Sequence, residues 1–374
     1  MRYVRDPISK EDGGYRRGHY VHPLYSLNGT RMSDDMPADH PHHRGVFWAW
    51  SQLWFGEKQI GQPWEQKGLI WNVREVAKTA NPHSASITCD VVWNTPLVDD
   101  GKDLVSEKTT ITVHRATRNH RRIDFRISLL ALEQGIRIGG SNNSKGYGGF
   151  SARIPLPADL QITGPEGTMT PQPRTPSAKS PWIDFTGSFD DSGRSGIAIL
   201  TGAANPGFPH GWTLRTAASC QNAVFPGNQL YPLSMTKPLV LNYSLVLHTS
   251  EFEKADLERV NEAYQHNLRA VASPANPVPL IHLPDAWVRE LETKLPKRPT
   301  AKPKRARKAL LYSTATGYKH SAIPYVQTLL KMLAEKTGAA EMVVSNDIRL
   351  LEPENIAQFD ALIFNNCCSD GIER

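Results

Sequence analysis

The sequence predicts a mainly β protein: an antiparallel β-sandwich over residues 1–270, followed by an α/β segment over residues 308–374. Three observations carry this. Short β-branched runs alternate with turn signals such as NPGFPHG, FPGNQ and GPEGT in the first part. Within Ile123–Leu129, Ile123, Phe125, Ile127 and Leu129 alternate with Asp124, Arg126 and Ser128, the period of a strand with one buried face. Past residue 308 the order becomes strand, helix, strand, strand, the opening of a doubly wound α/β domain.

The elements follow in order. Ser84–Val91, Lys108–Val113, Arg122–Leu129, Gly196–Leu200 and Leu239–Val246 read as strands. A helix is expected at Glu253–Leu268. Residues 271–307 read as a Pro-rich basic linker with a helical turn near Trp287–Lys294. Ala309–Ser313 then reads as a buried strand. Ser321–Lys336 is an amphipathic helix with Ile323, Val326, Leu329, Leu330 and Leu333 on one stripe, stopped by Gly338. Val343–Val344 and Ala361–Phe364 supply two more strands. The chain then ends after few βα units, so this α/β segment is expected to be truncated.

Composition excludes several classes. The chain has 374 residues, 39% hydrophobic and 21% charged, the profile of a soluble globular protein of about two domains. Apolar runs of ~18 residues are absent, so no membrane insertion by helices is expected. The start, MRYVRDPISKEDGGYRRGHY, lacks the apolar run of a signal peptide. Localisation stays open, and includes the periplasm should the N-terminus be truncated. The net charge of +6 comes from one run, LPKRPTAKPKRARK (Leu295–Lys308), with seven basic residues and no acid. That pattern suits a solvated linker, and no nucleic-acid partner is expected. Cys89, Cys220, Cys367 and Cys368 show no CxxC spacing, which argues against a disulfide framework or zinc ribbon.

Chemistry concentrates near the start, in PADHPHHRG (Pro37–Gly45). Pro41 biases His40 toward extended geometry, which would put His40 and His42 on one side, Asp39 and His43 on the other. Two imidazoles at that spacing suit a divalent metal, with His40 and His42 as its ligands. Alternatively one histidine is an acid or base oriented by Asp39, while Arg44 offers a planar fork to an anion or a sugar hydroxyl pair. A hydrogen-bonded turn locking two sheets together is the structural alternative. Trp48 and Trp50 follow directly, and indoles beside polar donors form platforms for sugar rings, although plain core packing accounts for single tryptophans. Two later segments are candidates to converge there. GGSNNSKGYGGFSAR brings Lys145, Tyr147 and Arg153; NPGFPHGWTLR brings His210, Trp212 and Arg215. The candidate catalytic set is therefore Asp39, His40, His42, His43, Arg44 and His210. His22, Trp48, Trp50, Lys145, Tyr147, Arg153, Trp212 and Arg215 are the candidate substrate contacts. In the last part, TATGYKH (Thr314–His320) follows the first strand, where open α/β sheets bind ligands, and a cysteine nucleophile at Cys367 or Cys368 has no identifiable base.

HPLYSLNGTRMSDDMPADHPHHRGVFWAW (His22–Trp50), KGYGGFSARI and FPHGWTLR resemble the motifs of the PmoA-like family of bacterial domains, over roughly residues 2–250. The resemblance implies a soluble β-sandwich, often encoded near sugar-catabolic genes, with Asp39, His40, His42, His43 and Arg44 on the family motif. Its name implies a metal-dependent oxygenase. Residues 308–366 are similar to the start of a trehalose-utilisation (ThuA-like) domain, which implies a glutamine-amidotransferase-like α/β fold. Both resemblances point to carbohydrate. The expected function is an enzyme acting on a sugar or keto-sugar derivative through the His/Asp/Arg cluster. A non-catalytic carbohydrate-binding module and a metal-dependent oxygenase are the alternatives. The sequence does not assign an oligomeric state.

Overall fold

The computed structural model describes residues 1–81, 84–98, 101–191, 193–217, 220–272, 283–301, 303–313, 320–346, 348–351 and 353–365. It divides into two compact units, Met1–Gln265 and His266–Arg374.

The first unit is built from antiparallel sheets. The largest has nine strands among the described residues. Its long run is Gly193–Thr201, Leu239–Thr249, His120–Ala131, Asp103–His114, Ser84–Asn94 and Ile70–Ala80, each antiparallel to the next. A six-stranded sheet orders Tyr3–Val4, Tyr20–Val21, Val46–Trp50, Gly148–Ala152, Gln221–Val224 and Trp212–Thr213. Every strand named in the sequence analysis is present, and most are longer than the apolar pattern shows. Hydrogen-bond ladders continue past the last apolar residue, where side chains reach solvent.

Period-two alternation drives the packing. In His120–Ala131, Ile123, Phe125, Ile127, Leu129 and Ala131 are buried. Phe125 meets Trp48 and Phe150 of the six-stranded sheet, with ring centroids 6.2 and 5.1 Å apart. Phe150 in turn stacks on Tyr243 of the nine-stranded sheet at 4.6 Å. These two sheets therefore face each other across one apolar core. Full burial of each such side chain contributes about 2–3 kcal/mol.

Val46–Trp50 is buried on both faces. Val46, Trp48 and Trp50 point into the core between the sheets. Phe47 and Ala49 point the other way, into a second layer with Val4, Tyr20, Trp64 and Cys220. That second layer is the floor of the site described below. The helix Lys254–Ala272 buries Leu257 and Tyr264. The Gln265 side chain donates to the Thr201 carbonyl at 2.8 Å and accepts from the Ala203 amide at 2.6 Å.

The second unit carries three parallel strands in the order Glu341–Ser345, Lys308–Tyr312, Ala361–Phe364. The helix Ala322–Thr337 connects the first two in sequence and ends at Gly338, whose φ of 64° suits glycine. Where a linker with a single helical turn was expected, the helix Asp285–Lys294 occupies ten residues of this unit. The boundary between the two units falls inside the helix Lys254–Ala272. Part of the basic run is spent locally: Arg305 and Arg307 both pair with Asp360, the latter at 2.8 Å. Thr314–Lys319, Cys367 and Cys368 lie outside the described residues. Among the described residues, no helix is long and apolar enough to cross a membrane.

Candidate functional site

The histidine segment is not extended. The His40 amide donates to the Pro37 carbonyl at 3.2 Å, and the His43 amide to the His40 carbonyl at 2.9 Å. These are two consecutive β-turns, and the second carries Pro41 in the position whose φ proline pre-sets. The expected division of the side chains between two faces is therefore replaced by convergence. The His40 and His43 rings stack at 4.7 Å with 2° between their planes. The His42 ring lies edge-on to both, 4.5 Å from His43 and 5.7 Å from His40. Gly45 turns the chain from these turns into Val46–Trp50. Its φ is 41°, and a Cβ there would sit 2.1 Å from the Val21 carbonyl oxygen.

Arg153 organises the charges. Its backbone joins the turn to the sheet, donating to the Gly45 carbonyl at 2.7 Å. Its side chain, almost fully buried, reaches both oxygens of Asp39 at 2.9 Å and His43 Nδ1 at 3.3 Å. Asp39 also accepts from His40 Nδ1 at 2.8 Å. Desolvation works to raise the Asp39 carboxyl, but the bonds from His40 and Arg153 outweigh it and hold the pKa down to about 2. His40 Nδ1–H is thus committed to Asp39, which leaves the Nε2 lone pair of a partly exposed ring. His43 is neutral. Burial first, then the charges of His42, His40 and Arg153, push its pKa down to about 2. With Nδ1 accepting from Arg153, its proton sits on Nε2, 3.8 Å from Cys220 Sγ. Burial, then the charge of His40, also lowers the pKa of His42.

An aromatic floor continues from the histidines. Trp64 lies 6.3 Å from His43, 5.4 Å from Phe47 and 5.3 Å from Tyr147. Arg215 Nη2 donates to the Tyr147 hydroxyl at 2.8 Å, and the Lys145 ammonium lies 5.7 Å from the Tyr147 ring centre. The structure thus connects Asp39, His40, His42, His43, Arg153, Tyr147, Lys145 and Arg215. Sequence reasoning did not single out Gln66, Tyr15 or Cys220 for the site. Gln66 donates to the His42 carbonyl at 2.8 Å, and the Tyr15 ring lies 6.4 Å from His42. Trp64 follows a proline in a 3₁₀ turn, Pro63–Glu65, a signal no different from those around the other tryptophans.

Other candidates lie elsewhere. Arg44 is fully buried, donating to the Ile8 and Arg17 carbonyls and pairing with Asp35, so its fork pins the N-terminal segment. Trp48 and Trp50 have no exposed surface and fill the inter-sheet core. Their indole N–H groups go to Glu107 and to the Phe225 carbonyl. Trp212 is likewise buried and donates to the Ser180 carbonyl at 2.9 Å. Period-two alternation turns these indoles inward. His22 bonds Ser33 Oγ at 3.0 Å. His210 bonds the Pro206 carbonyl and packs on Phe225, apart from the histidine turn. For the metal expectation at His40 and His42, the Asp39 bond leaves His40 Nε2 open as in a ligating histidine, but no group of three His, Cys, Asp or Glu residues able to hold a metal occurs among the described residues.

Comparison with curated proteins finds no match. A family model spans residues 1–262, which is the first unit almost entire and includes every residue of the site. On that match the chain belongs to the family of unknown function DUF6807.

Proposed function

We propose that this protein is a carbohydrate-active enzyme that uses Asp39 and His40 as an oriented acid–base pair. The observation that carries the reading is the chain Arg153–Asp39–His40. A buried guanidinium holds a carboxylate ionised, and the carboxylate fixes the tautomer of a partly exposed imidazole. Such an imidazole takes a proton from a hydroxyl, or from a carbon beside a carbonyl, at Nε2. Asp39 stabilises the imidazolium that forms, and His43, neutral and stacked beneath, keeps the ring in place. Tyr147, half-buried and packed on the buried Trp64, supplies aromatic surface for a sugar ring; Lys145 and Arg215 supply donors for its oxygens. For the metal-dependent oxygenase reading, no group of three metal-ligating side chains occurs among the described residues.

In the second unit, the middle position of Lys308–Tyr312 between two parallel neighbours supports its reading as the start of a ThuA-like, glutamine-amidotransferase-like domain.

Turnover of mono- and disaccharides and their keto derivatives by the full chain tests the proposal. His40→Ala is expected to lower kcat by about 10²–10⁴-fold with the fold retained. An unchanged kcat overturns the role of His40. Saturable sugar binding without turnover overturns the enzyme in favour of a binding module.

A further inference from the structure

His210, displaced from the histidine turn, lines a separate groove of about 580 Å³ on the first unit. Cys220, against His43, and Phe225, in the groove wall, lie at opposite ends of the strand Gln221–Val224. At strand rise the two places are about 17 Å apart. The groove volume falls in the range of small-molecule sites. Its chemistry is specific. His210 is 3% exposed, and its Nε2–H donates to the Pro206 carbonyl at 2.9 Å. That fixes Nδ1 as an acceptor, and Nδ1 has no hydrogen-bond partner. The imidazole is kept neutral by burial first and by the Lys179 charge against the opposing Pro206 bond. Tyr231, half-buried and backed by the buried Phe225 5.3 Å away, gives an aromatic face. Lys179, exposed at the lining, gives a cation.

We propose that this groove is a second binding site, for a hydroxylated ring that carries a carboxylate, the chemistry of an acidic sugar such as a uronic acid. A ring hydroxyl donates to His210 Nδ1. The C–H face of the ring covers Tyr231, and the carboxylate pairs with Lys179. The site needs no catalysis and does not rest on the role of Asp39 and His40.

Saturation-transfer NMR titrations of the full chain with glucuronate and with glucose test it. Glucuronate is expected to bind saturably and about fivefold more tightly than glucose. Lys179→Gln, an exposed change, is expected to remove that preference, and Tyr231→Ala to weaken both sugars. His40→Ala is expected to leave glucuronate binding intact, even where it abolishes turnover. No saturable glucuronate binding, or binding indifferent to Lys179→Gln and Tyr231→Ala, overturns the proposal. Loss of binding in His40→Ala overturns it too, because the sugar then sits at the histidine turn.

Discussion

Glu107 is a buried carboxylate in the core between the two sheets. Its Oε1 accepts from His19 Nε2, Trp48 Nε1 and Thr109 Oγ1, and its Oε2 from Trp93 Nε1, all within 2.7 Å. Desolvation works to raise its pKa, and the charge and hydrogen bonds of His19, with those of Thr109 and Trp48, bring it below the ordinary value. Replacing it by Glu107→Gln keeps the shape but sets an amide N–H against donors that need an acceptor. We expect a loss of ~3 kcal/mol, read as a lower urea midpoint. A midpoint within error of the parent would contradict the network's role. None of this was legible in the sequence, because His19, Trp48 and Trp93 lie 88, 59 and 14 residues away along the chain. The tryptophan assignments failed for a related reason. Alternation in Val46–Trp50 separates Phe47 from Trp48, but nothing local says which face looks toward the site.

At the scale of elements, the strands were the most legible part, since each buries one face and must alternate. The helix at residues 322–337 was legible from its stripe and its glycine stop. The histidine turn was read as extended because Pro41 restrains His40, yet the same proline also suits a β-turn, and the hydrogen bonds Pro37–His40 and His40–His43 decide for the turn. Its gathering of ionisable side chains was legible; its conformation was not. Gly45 is the hinge of this element. Gly45→Ala adds a methyl 2.1 Å from a backbone oxygen at positive φ, so the entry to Val46–Trp50 must shift. The expected cost is at least ~2 kcal/mol, seen in the thermal midpoint, together with lost alignment of Arg153 on Asp39. A variant as stable as the parent would show that the backbone there yields freely.

Over the whole molecule, histidines set the acid response. Burial comes first among the causes that lower the pKa values of His22, His42, His43, His120 and His210 in the fold. Below the unfolded value of ~6.5 the unfolded chain takes up protons that these sites refuse. Stability therefore falls as pH drops below that point. For His43 the loss continues toward pH 2. His248 acts oppositely. Burial opposes its charge, but the hydrogen bond and charge of Asp184 raise its pKa, so its contribution is present below ~6.5 and is lost as pH rises through the folded value. Five sites against one make the acid loss dominate. Unfolding midpoints measured from pH 7 to pH 4 are expected to fall steadily; a flat or rising profile contradicts the balance.

The two-faced strand Val46–Trp50 has a consequence for heritable variation. Neighbouring codons along it answer to separate selective demands: Trp48 and Trp50 to the core that makes the fold, Phe47 and Ala49 to the layer beneath the histidines. Descendants can remodel the layer beneath the histidines through Phe47 and Ala49 while inheriting the core between the sheets unaltered. Specificity can then diverge within one architecture, one residue at a time.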